Sequence, residues 1–121
     1  MFGNGKTFAS FSVPDLAKAK DFYVNKLGLE VVMEMEGVMQ LKTSDCRLMI
    51  YIKPNHVPAA FTVFNFEVDD VNAAVDELNK MGITMEMYPE MGTNDRGITK
   101  DNMAWFKDPF GNILSAMQLG K

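Results

Sequence analysis

The chain has one cysteine, Cys46, and one histidine, His56. A lone cysteine excludes an internal disulfide framework and a cysteine-ligated zinc centre. The lone histidine stands in a loop between Pro54 and Pro58, where it reads as a solvated side chain rather than a ligand. Positive charge is the minority sign, with 12 Lys and Arg against 16 Asp and Glu. The cations are scattered and form no basic stripe, so a nucleic-acid partner is not expected. No apolar run approaches the roughly 20 residues that a membrane span requires. The opening stretch MFGNGKTF lacks the apolar core of a signal peptide. A Gly-rich phosphate loop and a dinucleotide fingerprint are missing too. These absences lead to the expectation of a cytoplasmic protein without membrane or nucleic-acid partners.

What is present is a globular chain of 121 residues with 47% apolar and 23% charged side chains. That length is one ordinary domain, able to bury roughly two thirds of its unfolded surface. Methionine is abundant, with 11 copies, and Met33, Met35, Met39, Met85, Met87 and Met91 cluster. Flexible thioethers fill irregular core space or line a deformable cavity.

The most informative feature is an internal repeat. FSVPDLAKAKDFYVNKLGLEVVMEM, from Phe11 to Met35, is echoed by FEVDDVNAAVDELNKMGITMEM, from Phe66 to Met87. Phe11 matches Phe66, Val13 matches Val68, Asp15 matches Asp70 and Ala19 matches Ala74. With one residue deleted, Gly28 falls on Gly82. Each copy starts with period-two alternation, which predicts a strand with one face against a core. Asp15 and Asp70 then suit helix N-caps, and Gly28 and Gly82 suit left-handed C-terminal caps. Leu16, Ala19, Tyr23 and Leu27 make one helical face; Val71, Ala74, Leu78 and Met81 make its counterpart. Strand-like runs follow each glycine: 29–35, 38–41 and 47–52 in the first half, and 83–88, 102–107 and 112–118 in the second. DPFG, residues 108 to 111, has the composition of a type I turn.

The expected architecture is therefore α+β, with two tandem βαβββ modules forming a cupped mixed sheet with helices outside. A single domain over residues 1–121 divides into a first module at 7–52, a linker at 53–60 and a second module at 61–119. Residues 90–101 form a polar excursion in which Arg96 and Lys100 could meet an anion, although solvated charges are the plainer reading. One helix per sheet leaves the other sheet face unpartnered. That face carries Phe8, Ser10 and Ser12 in the first module and Val63, Asn65 and Glu67 in the second. Small polar groups among apolar ones suit a cavity wall.

Paired strand-helix-three-strand modules, FSVPDLAKAKDFYVNKLGLE, FEVDDVNAAVDEL and FKDPFGN together resemble the vicinal oxygen chelate superfamily, over about Thr7 to Gln118. That superfamily includes glyoxalase I, extradiol dioxygenases, fosfomycin-modifying transferases and bleomycin-binding resistance proteins. The resemblance implies a concave site where the enzymes hold a divalent metal with histidines and glutamates. The corresponding positions here are Phe8, Val63, Ser115 and, within one residue, Met49. None of these is an imidazole or a carboxylate, so neither a metal nor another cofactor is expected. Nucleophilic chemistry finds little support: Cys46 lies beside Arg47 at a hairpin, and Ser115 has no histidine in its own module. The resemblance also places Trp105 where an aromatic side chain faces the ligand.

The reading is a metal-free binding protein that sequesters or senses an apolar or aromatic small molecule. Its candidate contacts are Phe8, Ser10, Met49, Val63, Asn65, Trp105 and Ser115. Similarity to the resistance proteins implies a homodimer. The alternative is a lyase, isomerase or dioxygenase working through unrecognised groups; a third possibility is a scaffold that kept the fold and lost the pocket.

Overall fold

A computed structural model describes residues 1–120. Its order begins with β1 (Ala9–Val13), α1 (Leu16–Lys20), β2 (Glu30–Met35), β3 (Val38–Lys42) and β4 (Arg47–Ile52). It continues with β5 (Thr62–Glu67), α2 (Val71–Lys80), β6 (Met103–Lys107) and β7 (Ile113–Met117). The chain divides at Val57/Pro58 into two compact units, one for each copy of the repeat. Both sheets mix parallel and antiparallel pairs, and no helix among the described residues is long and apolar enough to cross a membrane.

In the first unit the four strands run in the order β1-β4-β3-β2. Side chains alternate across strands, so the two faces differ sharply. Phe11, Val13, Met39, Leu41, Leu48 and Ile50 are buried on one face. Ala19, Phe22 and Tyr23 cover it from the helix, with the Tyr23 ring 5.6 Å from that of Phe11. The capping expectation is met, because Asp15 Oδ1 accepts the Lys18 amide at 3.0 Å.

The helix does not remain α throughout. Asp21–Lys26 winds as a wider π turn, in which the Leu27 amide reaches back five residues to the Phe22 carbonyl at 3.0 Å. The repeat explains this: Gly28 follows its capping aspartate by thirteen positions, Gly82 by twelve. One surplus residue is taken up as a single widened turn, the usual form of a π-bulge.

In the second unit β5, β7 and β6 form a sheet of three strands in that order. Asp70 Oδ1 accepts the Asn72 and Ala73 amides at 3.0 and 3.2 Å, and the Gln118 side chain accepts the Val71 amide at 3.0 Å. Val71, Val75 and Leu78 of α2 are buried, and the helix packs on β6 and β7.

The strand expected at 83–88 is not formed. Ile83 and Met85 are buried as an alternating strand would require, but only one amide, that of Glu86, reaches β6, at the Trp105 carbonyl (2.8 Å). The rest of that edge is occupied. Ile98 bridges Ala104, and the Thr99 amide bonds to the Met103 carbonyl at 2.9 Å. The 90–101 excursion thus folds back onto β6 and displaces most of the ladder.

Candidate functional site

The register of the second sheet places Asn65 opposite Ser115, and Ser115 opposite Trp105. Three of the candidates therefore form one row across three adjacent strands, on the face opposite Phe64, Phe106, Leu114 and Ala116. The Ser115 hydroxyl donates to Asn65 Oδ1 at 2.5 Å. This bond points the amide oxygen at serine and turns the NH2 group, a double donor, away from it. Ser115 is 0% exposed whereas Asn65 is exposed. The serine thus orients the exposed asparagine from a buried position.

Trp105 is 7% exposed, and its ring meets that of Tyr88 edge-on, with centroids 5.4 Å apart. Burial, followed by the carboxylate of Glu86, pushes the Tyr88 phenol above its ordinary value, while nearby Lys107 opposes the shift. Lys107 Nζ lies 3.6 Å from Glu86 Oε1. Nothing in the sequence marks Tyr88 as a site residue. Its position after Ile83 and Met85 suggested only a strand end.

Val63 departs from the expected regular strand. It sits where the β5–β7 register slips between Thr62 and Phe64, and it has no partner of its own in the ladder. A bulge of this kind bends the strand and re-aims the side chain, which period-two reasoning cannot anticipate.

The DPFG turn joins the two strands that carry Trp105 and Ser115. The buried Asp108 accepts the Phe110 and Asn112 amides, each at 2.9 Å, and the Asn112 side-chain amide at 2.8 Å. Gly111 has φ +90°, and a Cβ there would lie 3.0 Å from Pro58 Cγ.

In the first unit Ser10 is paired with Met49, and Met49 with Gln40. Ser10 is exposed and Met49 half-buried. Phe8 lies just before β1, 50% exposed, with the Arg47 guanidinium 5.9 Å from its ring centroid. Residues 7–9 and 42–47 line an open cavity of about 570 Å³ at this end of the sheet. Cys46 is half-buried on that hairpin, its Sγ 3.5 Å from the Arg47 carbonyl.

Two expectations about charges need correction. His56 is not a solvated loop residue. It is half-buried, its Nδ1 shares a 2.7 Å hydrogen bond with the Ser12 hydroxyl, and its Nε2 is buried with no partner among the described residues. The partner lies 44 positions away in sequence, so local reasoning cannot find it. Arg96 is tied to α2: it pairs with Asp76 and donates to Asn72 Oδ1 at 3.1 Å. Lys100 is exposed, as expected. The methionine cluster also disperses, with Met39 and Met85 in the core and Met35, Met87 and Met91 exposed.

The residues present do not suit a divalent metal. Phe8, Met49, Val63 and Ser115 offer no imidazole or carboxylate. Among the described residues, no three His, Cys, Asp or Glu side chains gather in a group able to hold a metal ion.

Residues 7–115 match the model of the Glyoxalase/Bleomycin resistance protein/Dioxygenase superfamily. The glyoxalase family protein from Enterococcus faecalis is 25% identical with a TM-score of 0.75, covering 98% of this chain and 100% of its own. TnmS3, an antibiotic binding protein from Streptomyces sp. CB03234, is 28% identical with a TM-score of 0.68, covering 94% of this chain and 96% of its own. The lactoylglutathione lyase from Agrobacterium tumefaciens, 20% identical with a TM-score of 0.71, covers 95% of this chain and 93% of its own and shares the fold. No curated protein matches the chain significantly.

Proposed function

The chain belongs to the Glyoxalase/Bleomycin resistance protein/Dioxygenase superfamily, and from that premise we propose that it binds an apolar or aromatic small molecule without a metal, to sequester or sense it. One observation carries the reading: the cross-strand row in which Ser115, on the central strand, fixes the Asn65 amide on one side and is flanked by Trp105 on the other. Small-molecule sites combine an aromatic or apolar wall with a few placed polar groups. Here the indole and Tyr88 supply the wall, and the Asn65 NH2 group supplies the donor. Of the positions where enzymatic relatives hold their metal, Phe8, Met49 and Val63 suit apolar contact instead, and Ser115 holds Asn65. TnmS3, which binds an antibiotic, is among the more similar solved relatives and favours a binding role. The protein works as a homodimer, as the resemblance implies.

Thermal shift with a panel of aromatic and antibiotic compounds tests this reading. A genuine ligand at about 100 times its Kd stabilises by roughly 2.7 kcal/mol. Asn65→Ala removes the donor and lowers affinity about tenfold, while Ser115→Ala lowers it less by releasing the amide. Trp105 fluorescence should respond to the same compound. A stoichiometric divalent metal that survives purification, or a panel without a single hit, overturns the reading.

A further inference from the structure

We infer that the first unit carries a recognition site of its own, in which the cavity between the start of β1 and the β3–β4 hairpin takes a small aromatic carboxylate. This goes beyond the reading above: it shares Phe8 with that reading but stands on Arg47 and Lys42 of the first unit and not on the Asn65 row.

The strand register builds the site. Lys42 and Arg47 are cross-strand partners, and Ala9 pairs with Leu48, which brings Phe8 beside Arg47. The result is a row of ammonium, guanidinium and phenyl ring along one edge of a cavity of about 570 Å³, within the range of small-molecule sites.

Arg47 is the centre of the argument. Its Nη2 donates to the Thr7 carbonyl at 3.3 Å, and it has no carboxylate partner among the described residues. A guanidinium has five N–H donors in a fixed fork, so most of its donor capacity remains available to a planar oxyanion. An arginine without a carboxylate is notable in a chain with 16 acidic and 12 basic side chains. Lys42 lies 3.4 Å from Glu30, but both side chains are exposed and such a pair is readily exchanged for another anion.

Asp45 is the one acidic residue in the lining, set on the exposed hairpin tip. The cavity therefore presents two cations against one anion. The half-exposed Phe8 ring, already approached by the guanidinium, offers a face on which a second ring can stack. A cationic ligand would be repelled by Lys42 and Arg47. A neutral one would leave the guanidinium fork without its best partner.

The test uses the full chain and three probes that share one ring system: 2-naphthoate, its near-isostere 2-naphthamide, and 2-naphthylmethylammonium. Calorimetric titration at low salt gives affinities, and amide NMR shifts locate the binding. Naphthoate should bind about tenfold or more tightly than naphthamide, with the ammonium probe weakest, and should shift the Ala9, Thr43 and Ser44 amides. Arg47→Gln should cost naphthoate about tenfold without affecting naphthamide, Arg47→Lys should retain part of the preference, and added salt should erode it. Lys42→Gln should cost naphthoate less than Arg47→Gln does. Arg96→Gln removes an equal charge from the other unit and should change nothing. Equal affinity for naphthoate and naphthamide overturns the inference, as does a preference that survives Arg47→Gln. So does failure of naphthoate to bind at millimolar concentration, or shifts confined to residues 62–67 and 103–117.

Discussion

Replacing Asp108 by alanine should be among the most damaging single changes in the second unit, and the structure allows its size to be worked out. The carboxylate accepts hydrogen bonds from two backbone amides, Phe110 and Asn112, and from the Asn112 side-chain amide. Asp108 and Asn112 are both buried, so water cannot replace the lost acceptor without opening the turn. Hydrogen bonds to a charged group contribute about 1.5–3 kcal/mol each, and three that share one carboxylate are not additive. A loss of about 3–5 kcal/mol is expected, a large part of the roughly 5–15 kcal/mol that holds an ordinary domain together. For a chain of this size that is a fall in Tm of about 10–20 °C. Asp108→Asn provides the calibration. Its Oδ1 can still accept the two backbone amides, while its NH2 faces that of Asn112, so the cost should fall to about 1–2 kcal/mol. Urea unfolding followed by Trp105 fluorescence reads both variants, because the indole lies on the strand that leads into this turn. If Asp108→Ala unfolds within about 1 kcal/mol of the parent, the carboxylate does not organise the turn and the reasoning fails.

Gly111→Ala should destabilise by at least about 1–2 kcal/mol, because φ is +90° and the new methyl group would crowd Pro58; an unchanged urea midpoint would refute this. Deleting the exposed Asn25 should let the first helix close as a regular α-helix, as its counterpart does, with the protein still folded and circular dichroism showing no loss of helix. Tyr88 should ionise above the ordinary range of a tyrosine phenol in an alkaline absorbance titration, because burial and Glu86 raise it. Its folded value lies above its unfolded value of about 10, so its contribution to stability is complete below the unfolded value and is lost as pH rises through the folded one. Tyr88→Phe should remove that alkaline decline; an unaltered pH profile counts against it.

The parts of the fold legible in the sequence were those decided within a few residues. Asp15 and Asp70 could be read as caps because an N-cap needs only its own next turn, and both accept the expected amides. Gly28 and Gly82 could be read as helix ends because φ values of +81° and +83° suit glycine. The alternation that places Asn65 on the open face is visible and the family resemblance points to Ser115, whereas their direct opposition, with Trp105 on the far side of Ser115, depends on a register that includes a bulge at Val63. The failures share a cause. Ile83 to Tyr88 has a strand's pattern, but pairing depends on a partner edge, and Ile98 and Thr99 already hold it. His56 looked solvated because its neighbours are prolines; Ser12, which binds it, belongs to a distant strand. In the sequence Arg47 is only a neighbour of Cys46, since nothing local shows that a phenyl ring and a lysine stand beside it.

The widened turn at Asp21–Lys26 bears on how two copies of one module drift apart. Inserting a residue into an ordinary helix rotates everything beyond it by about 100°, which would carry apolar side chains out of the core and demand compensating changes elsewhere. A single π turn confines that rotation to its own loop of backbone. Phe22 and Tyr23 stay buried before the insertion, and Leu29 stays buried after it. A length change can thus be inherited in one step, without a pathway of repairs. The duplicated halves were in this way able to become unequal in length while still building the same layer of helix on sheet.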